Sequence, residues 1–317
     1  PPRRMSMLPV TPMRVHNHHD TAVVVGSDGG LIGLSREGQV TNILRPMSNP
    51  ISSSILLDGH LIASWNFYDT NTSSYMGLIP KGFFVDFGDG SELNHESGAD
   101  EGPAGTTWCR KVEGTVESVG GKGDRFIFAL SGLGIYSMSL QIDEDVTNID
   151  ESWRTHYPAW TLSSGAEIRD RVASILITES GVLIVSEGGE WILLSTEEGI
   201  ELDRGFLDLR DSVNRAVYSS KLGTMVMTRG KEIVLMDVDR KIIQNIRRIP
   251  GPVLDAYPDD DGWKWTGWRH DGSFKSGHLM IRMRSEIGIG MMGSDKCICN
   301  DGTIGRWGSY SSESEVV

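Results

Sequence analysis

From Val172 to Gly199 the chain reads Val-Ala-Ser-Ile-Leu-Ile-Thr-Glu-Ser-Gly, then Val-Leu-Ile-Val-Ser-Glu-Gly-Gly, then Glu-Trp-Ile-Leu-Leu-Ser-Thr-Glu-Glu-Gly. Three short apolar runs, rich in β-branched residues, are cut apart by glycine-containing polar turns. Each run is too short for a helix, and each reads as a strand. The following segment repeats the plan. Gly223-Thr-Met-Val-Met-Thr-Arg-Gly230 overlays Gly181-Val-Leu-Ile-Val-Ser-Glu-Gly188, with Leu235 falling on Leu193 and Val217 on Ile175. Four strands recurring at about forty residues make one supersecondary unit that cannot bury both faces alone, so copies must stack.

Other copies extend from this pair in both directions. Thr21–Ser35 repeats its middle, with Val25 on Val185 and Leu34-Ser35 on Leu194-Ser195, and Val15 supplies a first strand. A second unit starts at Ile51, with strands at Ser52–Leu57, His60–Trp65, Tyr75–Ile79 and Phe83–Phe87. A third runs from Thr115 through Val116–Val119, Arg125–Leu130 and Gly134–Leu140, with an outer strand near Thr155–Leu162. Past Arg248, Val253–Tyr257 opens a sixth, and Gly277–Ile281 overlays Gly181–Val185, leaving Pro258–Ser276 between them as a tryptophan-rich insertion. The polar stretch Gly88–Gly105 reads as a second insertion. Nowhere does a 3.6-residue period persist for ten residues, and Ala166–Ala173 has room for one helical turn.

The composition, 38% hydrophobic and 23% charged, is that of an ordinary globular protein. A formal charge of −13 argues against nucleic acid or an anionic membrane surface as a partner. No run approaches the ~18 apolar residues of a membrane span, so no membrane insertion is expected. Pro1-Pro-Arg-Arg-Met5 has no apolar stretch behind its arginines, so no signal peptide is read and a cytoplasmic chain is expected. Its three cysteines, Cys109, Cys297 and Cys299, fit reduced thiols better than a disulfide framework.

Motifs with chemistry are scarce. Gly288-Ile-Gly-Met-Met-Gly293 has the spacing of a dinucleotide loop, yet a turn and strand follow it where that loop needs a helix, so no cofactor is expected. His16-Asn-His-His-Asp20 offers an imidazole pair on one strand face; spacing supplies two ligands where a site needs three or four, so no metal is expected. No G-x-S-x-G, H-E-x-x-H or C-x-x-C occurs, and no catalytic residue is assigned. The sharpest remaining cluster is Asp259, Asp260, Asp261, Trp263, Trp265, Trp268 and Arg269. Tryptophan and arginine dominate binding hot spots, and neighbouring acids would steer a basic partner. Alternating Trp263 and Trp265 equally suit packing in a core.

These repeats resemble the β-propeller superfamily from about Val15 onward, although no Trp-Asp dipeptide of the ordinary WD40 kind occurs. The resemblance implies an all-β propeller of four-stranded antiparallel blades. The count is six. It becomes seven if Trp263–Trp268 is itself a strand and the Cys297–Trp307 hairpin joins the N-terminal arm. The domain plan is an arm at 1–13 and one propeller at 14–317 with insertions at 88–105 and 258–276. The fold hosts binding modules and enzymes alike. A non-catalytic scaffold that binds another protein through insertions and blade turns is the expectation. The alternative is a lyase, lactonase or glycosidase type of propeller enzyme with acids converging in the central channel. No oligomeric state follows from the sequence.

Overall fold

A computed structural model of the chain describes residues 7–19, 21–68, 72–85, 92–93, 102–143 and 146–308. They form seven blades of a β-propeller plus one small hairpin. The first sheet holds β1 (Pro12–His18), β2 (Thr21–Gly26), β3 (Leu31–Ser35) and β4 (Val40–Leu44). The second begins with β5 (Ser53–Leu57), β6 (His60–Phe67) and β7 (Ser73–Ile79). Next come α1 (Gly82–Val85) and β8 (Glu92–Leu93), which pairs parallel to β4, and then β9 (Trp108–Glu113), the second blade's outer strand. The third blade is β10 (Val116–Lys122), β11 (Arg125–Leu130), β12 (Gly134–Asp143) and β13 (Val146–His156). A hairpin of β14 (Trp160–Thr161) and β15 (Glu167–Ile168) leads to the fourth, β16 (Val172–Ile177), β17 (Val182–Ser186), β18 (Glu190–Leu194) and β19 (Glu201–Phe206). The fifth is β20 (Val213–Ser219), β21 (Gly223–Thr228), β22 (Ile233–Asp237) and β23 (Ile242–Ile246). The sixth is β24 (Val253–Asp259), β25 (Gly262–Gly267), β26 (His270–Lys275) and β27 (His278–Met283). The last, β28 (Gly288–Met292), β29 (Lys296–Cys299) and β30 (Ile304–Arg306), has three strands.

The chain divides into two compact units: His16–Leu209 carries the first four blades apart from the start of β1, and Pro1–Val15 with Arg210–Val317 carries the start of β1 and the last three. Seven blades arise because both conditions set by the sequence are met. Trp263–Trp268 falls in β25 and its turn, and the backbone N–H of Leu8 bonds the Gly302 carbonyl at 3.0 Å, beside the β29–β30 hairpin. The expected insertion at 258–276 is therefore two blade strands. Its glycines, tryptophans and charges hide a strand pattern, and the overlay of Gly277–Ile281 on a second strand fails because β27 is an outer strand, half exposed. Phe83–Phe87, expected as a strand, instead begins as the short α1. The Phe83 and Phe84 N–H groups bond back to Pro80 and Lys81, and the Phe84 side chain is buried in the core shared by the first two blades. Most of the other expected insertion, 88–105, lies outside the described residues.

Core clusters form where one blade packs on the next. Ile127, Ala129 and Ile135 of the third blade meet Val172, Ile184 and Ile192 of the fourth. Each fully buried aliphatic side chain contributes about 1.5–3 kcal/mol. First strands share a finer signature. In five blades their pairing with the second strand slips by one residue, at Val116/Ser118, Val172/Ser174, Val213/Arg215, Val253/Asp255 and Gly288/Gly290. Such a bulge leaves one residue unpaired and re-aims its side chain; in the third blade that residue is Glu117. In the fifth blade the second and third strands align with the fourth as expected from sequence, Leu183 with Met225 and Leu193 with Leu235. The first strands run one residue out of step, so Ile175 matches Ala216, because the β20–β21 turn is longer by one. Among the described residues no helix is long and apolar enough to cross a membrane.

Candidate functional site

The residues singled out in the sequence do not form one patch. Trp263 and Trp265 on β25 are buried in a core cluster with Met225, Met227, Ile233 and Val253, so their role is packing. Trp268 and Arg269 make the exposed β25–β26 turn. Arg269 takes a positive φ of 56°, and Trp268 stands 53% exposed over Gly251. Asp259, Asp260 and Asp261 form the β24–β25 turn at the opposite end of β25, six residues or about 20 Å away. Lysines occupy them: Asp259 Oδ2 accepts from Lys275 at 2.8 Å and lies 3.0 Å from Lys264 Nζ, Asp261 accepts from Lys275 at 2.6 Å, and Lys221 donates to the Asp260 carbonyl. The hydrogen bond from Lys275 holds the Asp259 carboxyl below its ordinary range, with Lys264 adding to it. Two of the three acidic side chains are thus occupied by lysines, and at the other end of the strand stands the exposed Trp-Arg turn.

A cleft of about 550 Å³ opens at the third-to-fourth blade connection, where no sequence motif lies. Pro158 follows β13, and the chain doubles back as the β14–β15 hairpin, with Gly165 at φ 84° in its turn. Buried Glu190 anchors this hairpin by accepting from the Thr161 N–H at 2.5 Å and hydroxyl at 3.1 Å, while Arg204 donates to the Ala159 carbonyl. Tyr157, Trp160, Arg169 and Arg171 wall the cleft, with Ser131 and Gly132 of the β11–β12 turn opposite. Exposed Leu133 and Leu162 adjoin these walls in sequence.

Beneath the cleft lies the bulge residue Glu117, its side chain 1% exposed. Its Oε2 accepts from the Tyr157 hydroxyl at 2.6 Å and the Val172 N–H at 2.8 Å, and its Oε1 sits 3.6 Å from Arg171 Nε. Burial, reinforced by Glu117, pushes the Tyr157 phenol far above its ordinary value. Tyr157 therefore stays protonated at any physiological pH and serves as a donor, not a nucleophile. Glu117 Oε1 and Trp160 Nε1 have no hydrogen-bond partner among the described residues. Sequence reasoning passed over this site because it is assembled from a bulge, a connection and a turn; the only local signal was Pro158 and Trp160 beside Arg169-Asp-Arg171.

Elsewhere, buried carboxylates are committed to arginines and backbone N–H groups. Glu190 pairs with Arg204 at 2.7 Å, Glu232 with Arg247 at 3.0 Å, and Asp271 with Arg284 at 2.9 Å, each acid opening or nearly opening a third strand. Each also accepts a backbone N–H, from Thr161, Arg210 and Gly308 respectively. Asp255, raised by burial, bonds Arg215 and the Met291 N–H. These are ties between elements, and none presents a second carboxylate for acid–base work. The hydrogen bond with Cys297 and the Arg284 charge lower Cys299 below its ordinary value, and both thiols are buried. The Gly288–Gly293 run is strand and turn, as read from sequence.

No family model matches the sequence, and no curated protein does either. Solved structures do. The β-propeller domain of Cps50 (Swd1) from Myceliophteria thermophila superposes with a TM-score of 0.63 at 13% identity, covering 96% of this chain and 99% of that one. The WD40 β-propeller domain of Doa1 gives 0.61 at 12% identity, covering 98% and 96%. The computationally designed protein Ika8 gives 0.56 at 9%, covering 96% and 98%. At such identities the likeness shows the fold alone: the chain is a seven-bladed β-propeller, and its sequence has no Trp-Asp dipeptide of the ordinary WD40 kind.

Proposed function

We propose that this chain is a non-catalytic β-propeller that holds a protein partner at the blade end where second-to-third-strand turns and blade-to-blade connections emerge. The observation that carries the reading is the cleft at Tyr157–Arg171: concave, walled by exposed Arg169 and Arg171, followed in sequence from its Gly132 and Trp160 walls by exposed Leu133 and Leu162, and built over groups already bonded to one another. That combination suits a peptide segment with an acidic and an apolar residue, since arginine pairs with carboxylates in a planar fork. At the same end of its own blade, the Trp268-Arg269 turn presents an indole and a guanidinium, the residue types of interface hot spots. The enzyme alternative needs carboxylates converging on a shared cavity, and the buried acids described above are each tied to an arginine.

The test compares wild type with an Arg169→Glu/Arg171→Glu variant and with Trp268→Ala in capture from the native host, followed by titration of the purified partner. Binding should fall at least ten-fold in the double variant. A partner that binds wild type and the double variant equally would end the cleft assignment, and turnover of a sugar or lactone by the purified chain would end the non-catalytic reading.

A further inference from the structure

The turn joining β1 to β2 and the turn joining β5 to β6 bring a distant carboxylate, Asp58, to the adjacent pair His18 and His19. One ring nitrogen each from His18 and His19, and a carboxylate oxygen of Asp58, all lie within 4.8 Å of one another. His18 Nε2 is 3.5 Å from Asp58 Oδ1, and the two imidazoles meet edge to face at 4.2 Å. In a tetrahedral zinc site with bonds of about 2.0–2.1 Å, ligand atoms stand roughly 3.3 Å apart. The His18–Asp58 separation already approaches that, and a side-chain rotation of exposed His19 closes the rest. The sequence argued against a metal because strand spacing supplied two ligands, His16 and His18; folding keeps His18 and sets His19 and Asp58 beside it. His16, the other imidazole of the run, is excluded from the set, because it is buried with its Nε2 at 2.8 Å from the Ser54 hydroxyl.

We propose that His18, His19 and Asp58 bind one divalent transition ion of the class that prefers imidazole with carboxylate, Zn²⁺ above all. The site has two neutral donors, one anionic donor and at least one position left to solvent. That is the ligand count of an open zinc site, distinct from the closed four-ligand set of a purely structural one. Its surroundings support the geometry. Gly59, at φ 82°, brings the turn close against the His18 ring: a Cβ there would stand 2.9 Å from the Lys81 Cβ and 3.3 Å from His18 Cε1 and Nδ1. Lys81 is the opposing influence: burial and, after it, the Lys81 charge depress neighbouring His60, and the same charge opposes a cation nearby. The ion fastens the first blade's turn to the second blade's and lies outside the Tyr157–Arg171 cleft residues.

Tag-free protein, stripped with chelator, is titrated with Zn²⁺ by calorimetry and assayed for metal after desalting. The expected result is one ion per chain. His18→Ala, His19→Asn and Asp58→Asn should each weaken binding at least ten-fold. Asparagine is chosen at 19 and 58 because both residues have φ of 45°, which asparagine tolerates. His278→Ala, on β27, should leave binding unchanged. On the wild type, carbethoxylation of His18 and His19, read by mass spectrometry, should be suppressed by Zn²⁺. No saturable site, a site that survives His18→Ala and Asp58→Asn, or modification of His18 and His19 unaffected by Zn²⁺ would each overturn the proposal.

Discussion

Replacing Gly272 by alanine tests whether Trp265 is a packing element. Gly272 on β26 sits directly opposite Trp265 on β25, and a Cβ there would overlap the indole of a fully buried side chain. No positive φ is involved, so the backbone tolerates alanine. Without the tryptophan, glycine-to-alanine in a strand should stabilise by about 0.4–1 kcal/mol through the unfolded chain. With it, the ring must move within a filled core, at a cost of about 1–3 kcal/mol. The net expectation is a loss of about 1–2 kcal/mol, opposite in sign to the intrinsic effect. Urea unfolding at 25 °C, followed by circular dichroism, measures it. Trp265→Leu in the same chain should remove most of the Gly272→Ala penalty, a coupling of about 0.5–3 kcal/mol. Gly277→Ala is the control: at φ 80° with open space around a Cβ, its cost should be the same whether or not Trp265 is present. A Gly272→Ala protein as stable as wild type, or a penalty unchanged by Trp265→Leu, would refute the packing assignment. The same pairing recurs at Trp191 and Gly205, where a Cβ would come 2.5 Å from the Trp191 ring.

Leu183→Ala, at a fully buried position paired with Leu193, should cost about 2–5 kcal/mol in the same denaturant assay; an unchanged midpoint would contradict the blade alignment. His270 is fully buried and its burial lowers its pKa, so between pH 6.5 and its folded value the unfolded chain binds the extra proton. Stability should therefore fall as pH drops below about 6.5, and His270→Gln should flatten that slope; equal slopes in thermal scans at pH 7.5 and 5.5 would refute the assignment.

The repeat was legible where short continuous apolar runs are cut by polar turns, as in Val182–Leu194 and Gly223–Leu235, because inner strands packed between blades are buried on both faces. It faded in the sixth blade, where Gly262-Trp-Lys-Trp-Thr-Gly267 and His270-Asp-Gly-Ser-Phe-Lys275 fill strand positions with glycine paired to tryptophan. One large ring covering a bare backbone replaces two medium side chains, and no hydropathy period reports that exchange. The Tyr157–Arg171 cleft and the His18–His19–Asp58 group stayed hidden for a different reason. Each joins turns that belong to different blades, and local spacing carries no information about which turns become neighbours. The tryptophan cluster misled in the converse sense: residues close in sequence on a strand end up on opposite faces or at opposite ends.

The hydrogen bond between Leu8 and Gly302 joins residues separated by nearly the whole chain. Closing a loop of that length costs on the order of 5 kcal/mol in chain entropy before any contact repays it. Single hairpins form in roughly 1–10 μs, so joining the two distant segments, more than shaping any blade, should set the pace of folding. During synthesis at about 5–20 residues per second, Leu8 would wait roughly 15–60 s for its partner to be made. Over that interval the apolar Leu8 and Val10, buried in the finished protein, stand open to other chains. A nascent chain with this connectivity has a built-in need for protection that lasts until the β29–β30 hairpin is translated.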